Sequence, residues 1–234
     1  MGKELTWAEI DLTAYAHNIT ELKRITGKGA RLMAVVKANG YGHGAIEVAG
    51  EALKNGAEYL GVARINEAVQ LRSAGLNAPI LIFGYTPPDL ADTLMRYDLT
   101  QTVCSFSTAT VLSEYARRRG AKISVHIKAD SGMGRLGLPL ISGNSAGTEY
   151  PSLKNSVQEV EAISRLGGLT VEGIFTHFAN ADAADKHHAH TQFKRFSALL
   201  ADLDGQGFQV PYRHAANSAA TIEMPETHLD LVRP

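Results

Sequence analysis

Cysteine is nearly absent from this sequence, since Cys104 is the one thiol among 234 residues. An internal disulfide framework is therefore excluded, and the composition is typical of a reducing compartment such as the cytoplasm. Long hydrophobic runs are also lacking, because no stretch approaches the roughly 18–20 apolar residues of a membrane-spanning helix. The opening residues, MGKELTWAEI, contain no apolar core of a secretory signal. We therefore expect a cytoplasmic protein that does not cross a membrane, with Cys104 in its core.

An excess of charge of either sign is missing as well. The chain has 23 basic and 24 acidic residues and a formal net charge of −1. This balance gives no electrostatic signature of a nucleic-acid partner or an acidic membrane surface. With 44% hydrophobic and 20% charged residues, the composition is that of a folded globular protein. The length predicts one domain or a tight pair.

Short apolar runs rich in β-branched residues recur along the chain, and segments with helical periodicity separate them. Several runs are apolar without alternation, as in strands that are buried on both faces. Eight strands separated by helices predict an α/β fold of the (β/α)8 TIM-barrel type, with a doubly wound open sheet as the alternative. The predicted strands are Met33–Val36, Tyr59–Val62, Pro79–Phe83, Thr100–Val103, Ile123–Ile127, Leu169–Phe175, Tyr212–Ala215 and Leu229–Val232.

One predicted helix precedes the first strand and none follows the last. Its apolar face carries Tyr15, Ile19 and Leu22, and in a closed ring it can fill the gap between strands eight and one. Two segments lie outside the repeating pattern. Ala8–Leu12 alternates like a strand ahead of the barrel, whereas Pro139–Asn155 is polar, rich in glycine, serine and proline, and predicted to be a loop. We therefore divide the chain into a strand segment at 1–12 and a barrel at 13–234.

Lys37 directly follows the apolar run of the first predicted strand. A lysine at the end of a buried strand is costly unless its charge is used or removed. At the carboxyl end of a barrel strand it would be placed for catalysis, and burial favours the nucleophilic, uncharged amine. The alternative is a strand-end lysine that reaches solvent. The glycines that follow permit a tight loop, in which Tyr41 adds a polar group.

Other polar residues also follow predicted strands. Asn217 and Ser218 begin a short helix after strand seven, where barrels often bind phosphate, although an ordinary helix cap has the same sequence. Arg135 comes after a glycine-rich turn that would hold a guanidinium at the barrel mouth or simply lie on the surface. His177 ends a strand, where a histidine is more often structural.

Three histidines close together raise the question of a metal site. His187, His188 and His190 have Asp182 and Asp185 nearby, but their spacing is not that of a metal-ligand motif. We interpret them as the solvated start of a helix and predict no metal.

Five motifs in order resemble those of bacterial alanine racemases, in the N-terminal pyridoxal-phosphate barrel domain of that family. The match extends over residues 8–234, and such an ordered set is very unlikely to arise by chance. The motifs are AVVKANGYGHG at 34–44, KADSGMGRLG at 128–137, GIFTHFA at 173–179, HAANSAA at 214–220 and LVRP at 231–234.

The resemblance implies pyridoxal 5'-phosphate as cofactor, alanine as substrate and interconversion of L- and D-alanine, which supplies D-alanine for cell-wall peptidoglycan. Lys37 would bind the cofactor covalently and act as the base on one face of the substrate α-carbon. Arg135 would bind near the substrate, and Lys128 matches a position that some members carry as a carbamate. The other implied cofactor contacts are Tyr41, His177, Asn217, Ser218 and Arg233.

The chain also departs from the family pattern. The family's C-terminal β-domain has no counterpart here, and with it a tyrosine that is the second catalytic base across a homodimer interface. The phosphate-site motif that begins Arg233-Pro234 is incomplete, and a terminal Arg233 could be frayed and solvent-exposed. The segment 1–12 resembles the strand that joins the β-domain. We therefore expect a truncated barrel domain with weak or no racemase activity of its own.

Two other functions fit the same residues. A single-domain relative, the family of pyridoxal-phosphate homeostasis proteins, has a similar length and holds the cofactor without robust catalysis. A purely structural barrel with an empty site is the third interpretation. Cofactor binding separates the structural barrel from the other two, and an alanine racemisation assay separates the enzyme from the cofactor-holding protein.

Overall fold

A ring of eight parallel strands forms the centre of the molecule, in a computed structural model that describes residues 6–141, 143–145, 148–150 and 153–234. The eight strands are β1 (Arg31–Val35), β2 (Tyr59–Val62), β3 (Ile80–Ile82), β4 (Thr100–Val103), β5 (Ile123–Asp130), β9 (Leu169–Phe175), β10 (Tyr212–His214) and β11 (Leu231–Val232). The order of the strands around the ring follows the sequence, and a ladder joins each neighbouring pair except β10 and β11. Four of the eight strands, β2, β3, β4 and β11, are buried along their whole length.

The two ends of the sheet meet and close the ring. β1 pairs in parallel with β11, with Arg31 opposite Leu231. β10 and β11 are joined where the Asp230 N–H donates to the Arg213 carbonyl at 3.0 Å. Because the first and last strands are neighbours, the (β/α)8 barrel prediction is confirmed and the open doubly wound sheet is wrong.

Helices surround the ring. α1 packs against α3 and α9 and also contacts β1, so it covers the junction of the first and last strands as predicted. The helices are α1 (Leu12–Thr26), α2 (Lys37–Tyr41), α3 (Ala45–Lys54), α4 (Ile65–Ser73), α5 (Ala91–Arg96), α6 (Phe106–Arg118), α7 (Leu153–Ser164), α8 (His187–Gly205) and α9 (Ser218–Glu223), with 3-10 turns at Pro88–Leu90 and Pro225–Thr227. Among the described residues, no helix combines the length and apolar composition that a membrane crossing requires.

The apolar core has two layers. The larger lies between the strands and the helices and includes the buried α8 residues Phe196, Leu199 and Leu203. The smaller fills the inside of the ring, with Met33, Tyr59, Leu81, Phe175 and Leu231. The interior is thus packed, as in other barrels of this type, and the described residues leave open space at the ends of the barrel.

The strand predicted at Ala8–Leu12 is not formed. Residues 6–11 have no regular secondary structure, Leu12 is the first residue of α1, and residues 1–5 lie outside the described residues. The Asp11 carboxylate accepts hydrogen bonds from Thr13 N–H at 2.8 Å and Ala14 N–H at 3.0 Å, which caps α1. A strand needs a partner strand, and no strand of the described residues lies beside this segment; its assignment to a β-domain stays a prediction.

The loop predicted at Pro139–Asn155 contains more structure than expected. β6 (Leu138–Pro139) pairs with the end of β5, β7 (Gly143–Ser145) and β8 (Thr148–Tyr150) form an antiparallel hairpin, and α7 begins at Leu153. Residues 142, 146–147 and 151–152 lie outside the described residues. A two-stranded hairpin forms through backbone hydrogen bonds and therefore does not need the apolar periodicity on which the prediction relied.

Candidate active site

A cavity of about 350 Å³ lies where the carboxyl ends of the strands converge. This is the end of the barrel at which side chains from different strands can reach one point. All the residues predicted from sequence to form a site line this cavity, namely Lys37, Tyr41, Lys128, Arg135, His177, Asn217, Ser218 and Arg233. The structure therefore brings together residues that are up to 196 positions apart in the sequence (Lys37 to Arg233).

Lys37 begins α2, which is a single left-handed turn. Ala38, Asn39, Gly40 and Tyr41 have φ values of 51°, 56°, 61° and 55°. Left-handed backbone costs an L-residue other than glycine about 1–2 kcal/mol, and three of these four residues are not glycine. The Lys37 amine lies 5.7 Å from the centre of the Tyr41 ring. The sequence predicts a tight loop here but gives no indication of the strained backbone.

Arg135 is held by a loop folded around one carboxylate. The Asp130 carboxylate, at the end of β5, accepts four consecutive backbone N–H groups at 2.8–3.1 Å. The donors are those of Gly132, Met133, Gly134 and Arg135. Asp130 had no role predicted from the sequence. The pattern that could have identified it is an aspartate followed by small residues, which is typical of a turn.

Lys128 lies on β5, is only 4% exposed, and donates to the Leu136 carbonyl at 3.0 Å. Its ammonium lies 5.9 Å from the centre of the Phe175 ring. Burial, reinforced by the nearby Arg135 guanidinium, lowers the pKa of Lys128 to about 8. An appreciable fraction of this amine is therefore uncharged just above neutral pH.

Arg233 is buried, at 5% exposure, so the frayed terminal side chain considered from sequence is not what the structure contains. Its guanidinium donates to the Thr176 carbonyl at 2.9 Å and to His214 Nδ1 at 2.8 Å, and lies 3.3 Å from His177 Nδ1. Burial lowers the pKa of Arg233 to about 9, which leaves it cationic at neutral pH. A buried cation held by neutral groups keeps its positive charge available to a ligand.

His177 and two further histidines are neutral neighbours of Arg233. Burial first, then the Arg233 charge, lowers the pKa of His177 and of His126 to about 3 and that of His214 well below its usual value. Because arginine only donates, His214 accepts at Nδ1 and carries its proton on Nε2, 2.8 Å from His126 Nδ1. His126 and His214 had no role predicted from the sequence, because the two residues lie 88 positions apart, on different strands.

Asn217 is an ordinary helix cap in part, since its side chain accepts from the Ala220 N–H at 3.1 Å. Ser218 and Ala219 are the first residues of α9 and both line the cavity. Backbone N–H groups at the first turn of a helix have no acceptor within the helix, so these two remain open to another acceptor.

The charged side chains of this cavity are mostly basic. Its described lining carries four basic side chains, Lys37, Lys128, Arg135 and Arg233, against one carboxylate, Asp182. The arrangement suits a small anion that also has a group reactive toward an amine.

The remaining candidates lie elsewhere. His187, His188 and His190 are exposed at the start of α8, as predicted, and in the described part of the chain no three His, Cys, Asp or Glu side chains cluster as metal ligands do. Cys104 directly follows β4 and is half-buried rather than fully in the core; burial raises the pKa of its thiol.

Comparison with known proteins decides the family. The model of the alanine racemase N-terminal domain matches residues 10–234. The chain belongs to this family. An alanine racemase of Desulfosudis oleivorans is 54% identical over 228 residues, which are 97% of this chain and 57% of that protein. An alanine racemase of Desulforamulus reducens is 48% identical over 232 residues, which are 99% of this chain and 60% of that protein.

Solved structures of alanine racemases have the same fold. The Clostridium difficile 630 enzyme in complex with cycloserine superposes with a TM-score of 0.88 at 36% identity, covering all of this chain and 61% of that one. The Bacillus anthracis enzyme with bound L-Ala-P gives 0.86 at 33% identity, covering 97% and 56%. The chain thus spans about three fifths of the length of the alanine racemases it matches, and the resemblance seen in its five motifs is confirmed.

Proposed function

We propose that this barrel binds pyridoxal 5'-phosphate covalently through Lys37 and that the site serves the racemisation of L- and D-alanine. The observation that carries the proposal is the convergence of Lys37 with three other basic side chains around one cavity at the carboxyl ends of the strands. Membership of the alanine racemase family supports the substrate and the reaction.

The residues present fit the cofactor by their chemistry. The cofactor has an aldehyde, which reacts with an amine. It also has a phosphate, which accepts from several N–H donors, and a pyridine nitrogen, which accepts from one further donor. Lys37 supplies the amine, and the first residues of α9 supply N–H groups without acceptors in the helix. Arg233 is a donor without acceptor capacity, so a ring nitrogen facing it stays unprotonated. Tyr41 and neutral His177 complete the lining.

The chain's own residues move and hold the groups of the reaction. When bound, pyridoxal phosphate accepts electron density from the α-carbon of an amino acid and so acidifies its C–H bond. Once an amino acid has taken its place on the cofactor, Lys37 Nζ would remove the proton from, or deliver it to, one face of the α-carbon, and inversion needs a second group on the opposite face. Arg135, fixed by the Asp130 loop, binds the anionic part of the substrate. His177 stays neutral beside Arg233, so it adds no competing positive charge.

Lys128 is a further part of the proposal. A carbamate forms when an uncharged amine attacks carbon dioxide and loses a proton. The lowered pKa of Lys128 makes the uncharged amine accessible, and the nearby Arg135 would pair with the resulting anion. Carbamylation of Lys128 therefore stays a prediction that its surroundings favour.

The proposal also covers the setting of the reaction. We infer a cytoplasmic enzyme that works as a homodimer and whose D-alanine product enters cell-wall peptidoglycan. Family membership supports these statements. An acid or base on the second face of the α-carbon has no counterpart among the motifs of this chain, so we expect the 234-residue chain to racemise alanine slowly. A positioned acid or base contributes about 10²–10⁴-fold.

The proposal is tested by loading the protein with pyridoxal phosphate and reducing it with borohydride. We expect visible absorption of the bound cofactor before reduction and a stable label on Lys37 afterwards, located by peptide mapping. Lys37→Ala should lose the label, whereas Lys54→Ala, at an exposed lysine of α3, should keep it. A label on another lysine of the unmodified protein would contradict the assignment.

A racemisation assay on the loaded protein then separates the two cofactor-binding functions. Slow conversion of L- to D-alanine that depends on Lys37 supports the enzyme. Tight binding of the cofactor with no conversion supports a protein that holds pyridoxal phosphate without catalysis. Absence of binding leaves only the structural barrel.

A further inference from the structure

The peptide bond that follows Lys37 is held by a side chain from another helix. Glu67 lies in the first turn of α4, and its Oε1 accepts a hydrogen bond from the Ala38 N–H at 2.7 Å. The two residues are 29 positions apart. This contact therefore fixes the backbone at the first residue of the left-handed turn, immediately beside Lys37.

The second oxygen of the same carboxylate anchors it to the barrel. Oε2 of Glu67 accepts the N–H groups of Ala63 at 2.7 Å and Arg64 at 3.0 Å, where β2 leads into α4. With both oxygens engaged, the carboxylate ties the segment after β1 to the segment after β2. The two strands are paired neighbours, so their spacing is fixed by the sheet.

Other contacts hold the rest of the turn. The Asn39 side chain accepts from the Ala45 N–H at 3.0 Å, at the start of α3, and the Gly40 N–H donates to the Val36 carbonyl at 2.9 Å. Neither bond involves the Ala38 N–H. Glu67 holds that group and so ties the start of the turn to the segment between β2 and α4, although Glu67 is not among the residues described as lining the cavity.

We propose that Glu67 is a positioning residue for Lys37: it holds the left-handed turn so that the lysine amine faces the cavity. The inference rests on the proposed function of Lys37 as the residue that binds pyridoxal phosphate. Loss of the Glu67 carboxylate leaves the Ala38 N–H without its acceptor, and the strained turn relaxes by rotation of the Lys37–Ala38 peptide. The amine is then displaced, although the substituted residue is itself not among those described as lining the cavity.

The chain offers a matched control. Glu159 of α7 accepts the Phe106 N–H at 2.7 Å across 53 positions, at the start of α6. It is the same kind of contact, a carboxylate capping a backbone N–H of a distant segment, but Glu159 is not among the residues described as lining the cavity. Glu159→Ala therefore reports the general cost of losing such a bond.

The test compares Glu67→Ala and Glu159→Ala for cofactor affinity and for the pH midpoint of the visible absorption of bound pyridoxal phosphate. We expect Glu67→Ala to bind the cofactor about tenfold more weakly and to shift the midpoint, because the Ala38 N–H beside the reacting amine loses the charged acceptor that holds it in place. Glu159→Ala should match the wild-type protein in both. Equal values for the two variants would overturn the proposal.

A second measurement keeps this test separate from that of the proposed function. Competitive acetylation without any cofactor measures the reactivity of Lys37 relative to Lys54 by peptide mapping. Glu67→Ala should change the ratio and Glu159→Ala should not, whether or not the wild-type protein binds pyridoxal phosphate. If Glu67→Ala fails to fold, Glu67→Gln, which keeps one acceptor oxygen, takes its place; an unchanged ratio in the folded variant overturns the positioning role.

Discussion

Three histidines near Arg233 illustrate how one buried cation governs its surroundings at the scale of single residues. Arg233 donates to His214, which donates to His126, and the directions of these bonds follow from the guanidinium having donors only. His126 Nε2 then carries a hydrogen that, among the described residues, has no acceptor. A proton added to either histidine would place a second charge beside Arg233 in the barrel interior, and this is why both stay neutral.

This arrangement predicts acid sensitivity with a definite sign. The folded-state pKa of His126 and His177 is about 3, and that of His214 is well below the value of about 6.5 in an unfolded chain. Between these values the unfolded chain binds more protons, so the free energy of unfolding falls as pH drops below about 6.5. Each histidine contributes up to about 1.4 kcal/mol per pH unit. Urea unfolding at a series of pH values measures the slope.

A substitution assigns the effect to the barrel interior. The His126→Leu variant should take up about one proton fewer than the wild-type protein on acid unfolding, so its free energy of unfolding should change less steeply with pH. The His187→Asn variant, changed at an exposed position, should keep the wild-type slope. Identical slopes in His126→Leu and the wild-type protein would show that the interior histidine does not cause the acid sensitivity.

At the scale of elements, the segment that joins β5 to β6 depends on one carboxylate and one glycine. Asp130 accepts the four N–H groups that shape the turn. Gly137, with φ of 126°, brings the chain back so closely that a Cβ there would lie 2.8 Å from the Lys128 carbonyl and the Asp130 nitrogen. The segment is thus rigid, although it contains four exposed or half-buried residues in a row at 132–135.

Removal of the Asp130 carboxylate should loosen this segment. We expect Asp130→Ala to speed amide hydrogen exchange at residues 132–135 and to lower the free energy of unfolding by about 1–3 kcal/mol, because four donors lose their acceptor. Asp130→Asn, which keeps one carboxyl-derived oxygen, should have a smaller effect. Asp92→Ala, at an exposed ion pair with Arg119, is the control. Unchanged exchange at 132–135 in Asp130→Ala would contradict this account.

The sequence predicted elements better than the connections between them. Apolar runs identified all eight barrel strands to within a few residues, because burial on both faces leaves a strong composition signal. The strand predicted at Ala8–Leu12 is not formed, since alternation alone does not supply a partner strand. The positive φ value at Ala38 had no sequence signal, and the contact of its N–H with Glu67 exists only in the folded chain.

The same reasoning applies to the site. Its lining residues were identified from motifs, and the structure brings them together. Asp130, His126 and His214 received no role from sequence, because their contacts are with backbone groups or with residues on other strands. Residues that hold a site in place are recognised by what they touch, which the order of the sequence does not give.

At the scale of the whole molecule, closure of the ring relies on a few hydrogen bonds between β10 and the residue that precedes β11. The Asp230 N–H donates to the Arg213 carbonyl. The Asp230 carboxylate accepts from the Arg213 backbone N–H at 2.9 Å and from Arg213 Nε at 3.1 Å. These reciprocal bonds take the place of a full strand ladder at this junction.

Asp230→Ala should therefore weaken the barrel as a unit. We expect the free energy of unfolding to fall by about 1–2 kcal/mol, since a backbone N–H loses its acceptor. Asp204 contacts the guanidinium of the same Arg213 at 3.2 Å, at the surface and without a backbone bond. Asp204→Ala should cost only about 0–1 kcal/mol. Urea unfolding of both variants provides the comparison, and equal losses would show that the backbone bond does not contribute to closure.

Because β1 pairs with β11, the ring can close only after β11 has been synthesised. One edge of β1 finds β2 early, but its other partner is Leu231–Val232, near the opposite end of the chain. At about 5–20 residues per second, ribosomal synthesis leaves that edge open for roughly 10–40 s. An unpaired apolar edge is a template for a wrong strand. Translation therefore sets a minimum time during which β1 can mispair, and the folding time of the barrel adds to it.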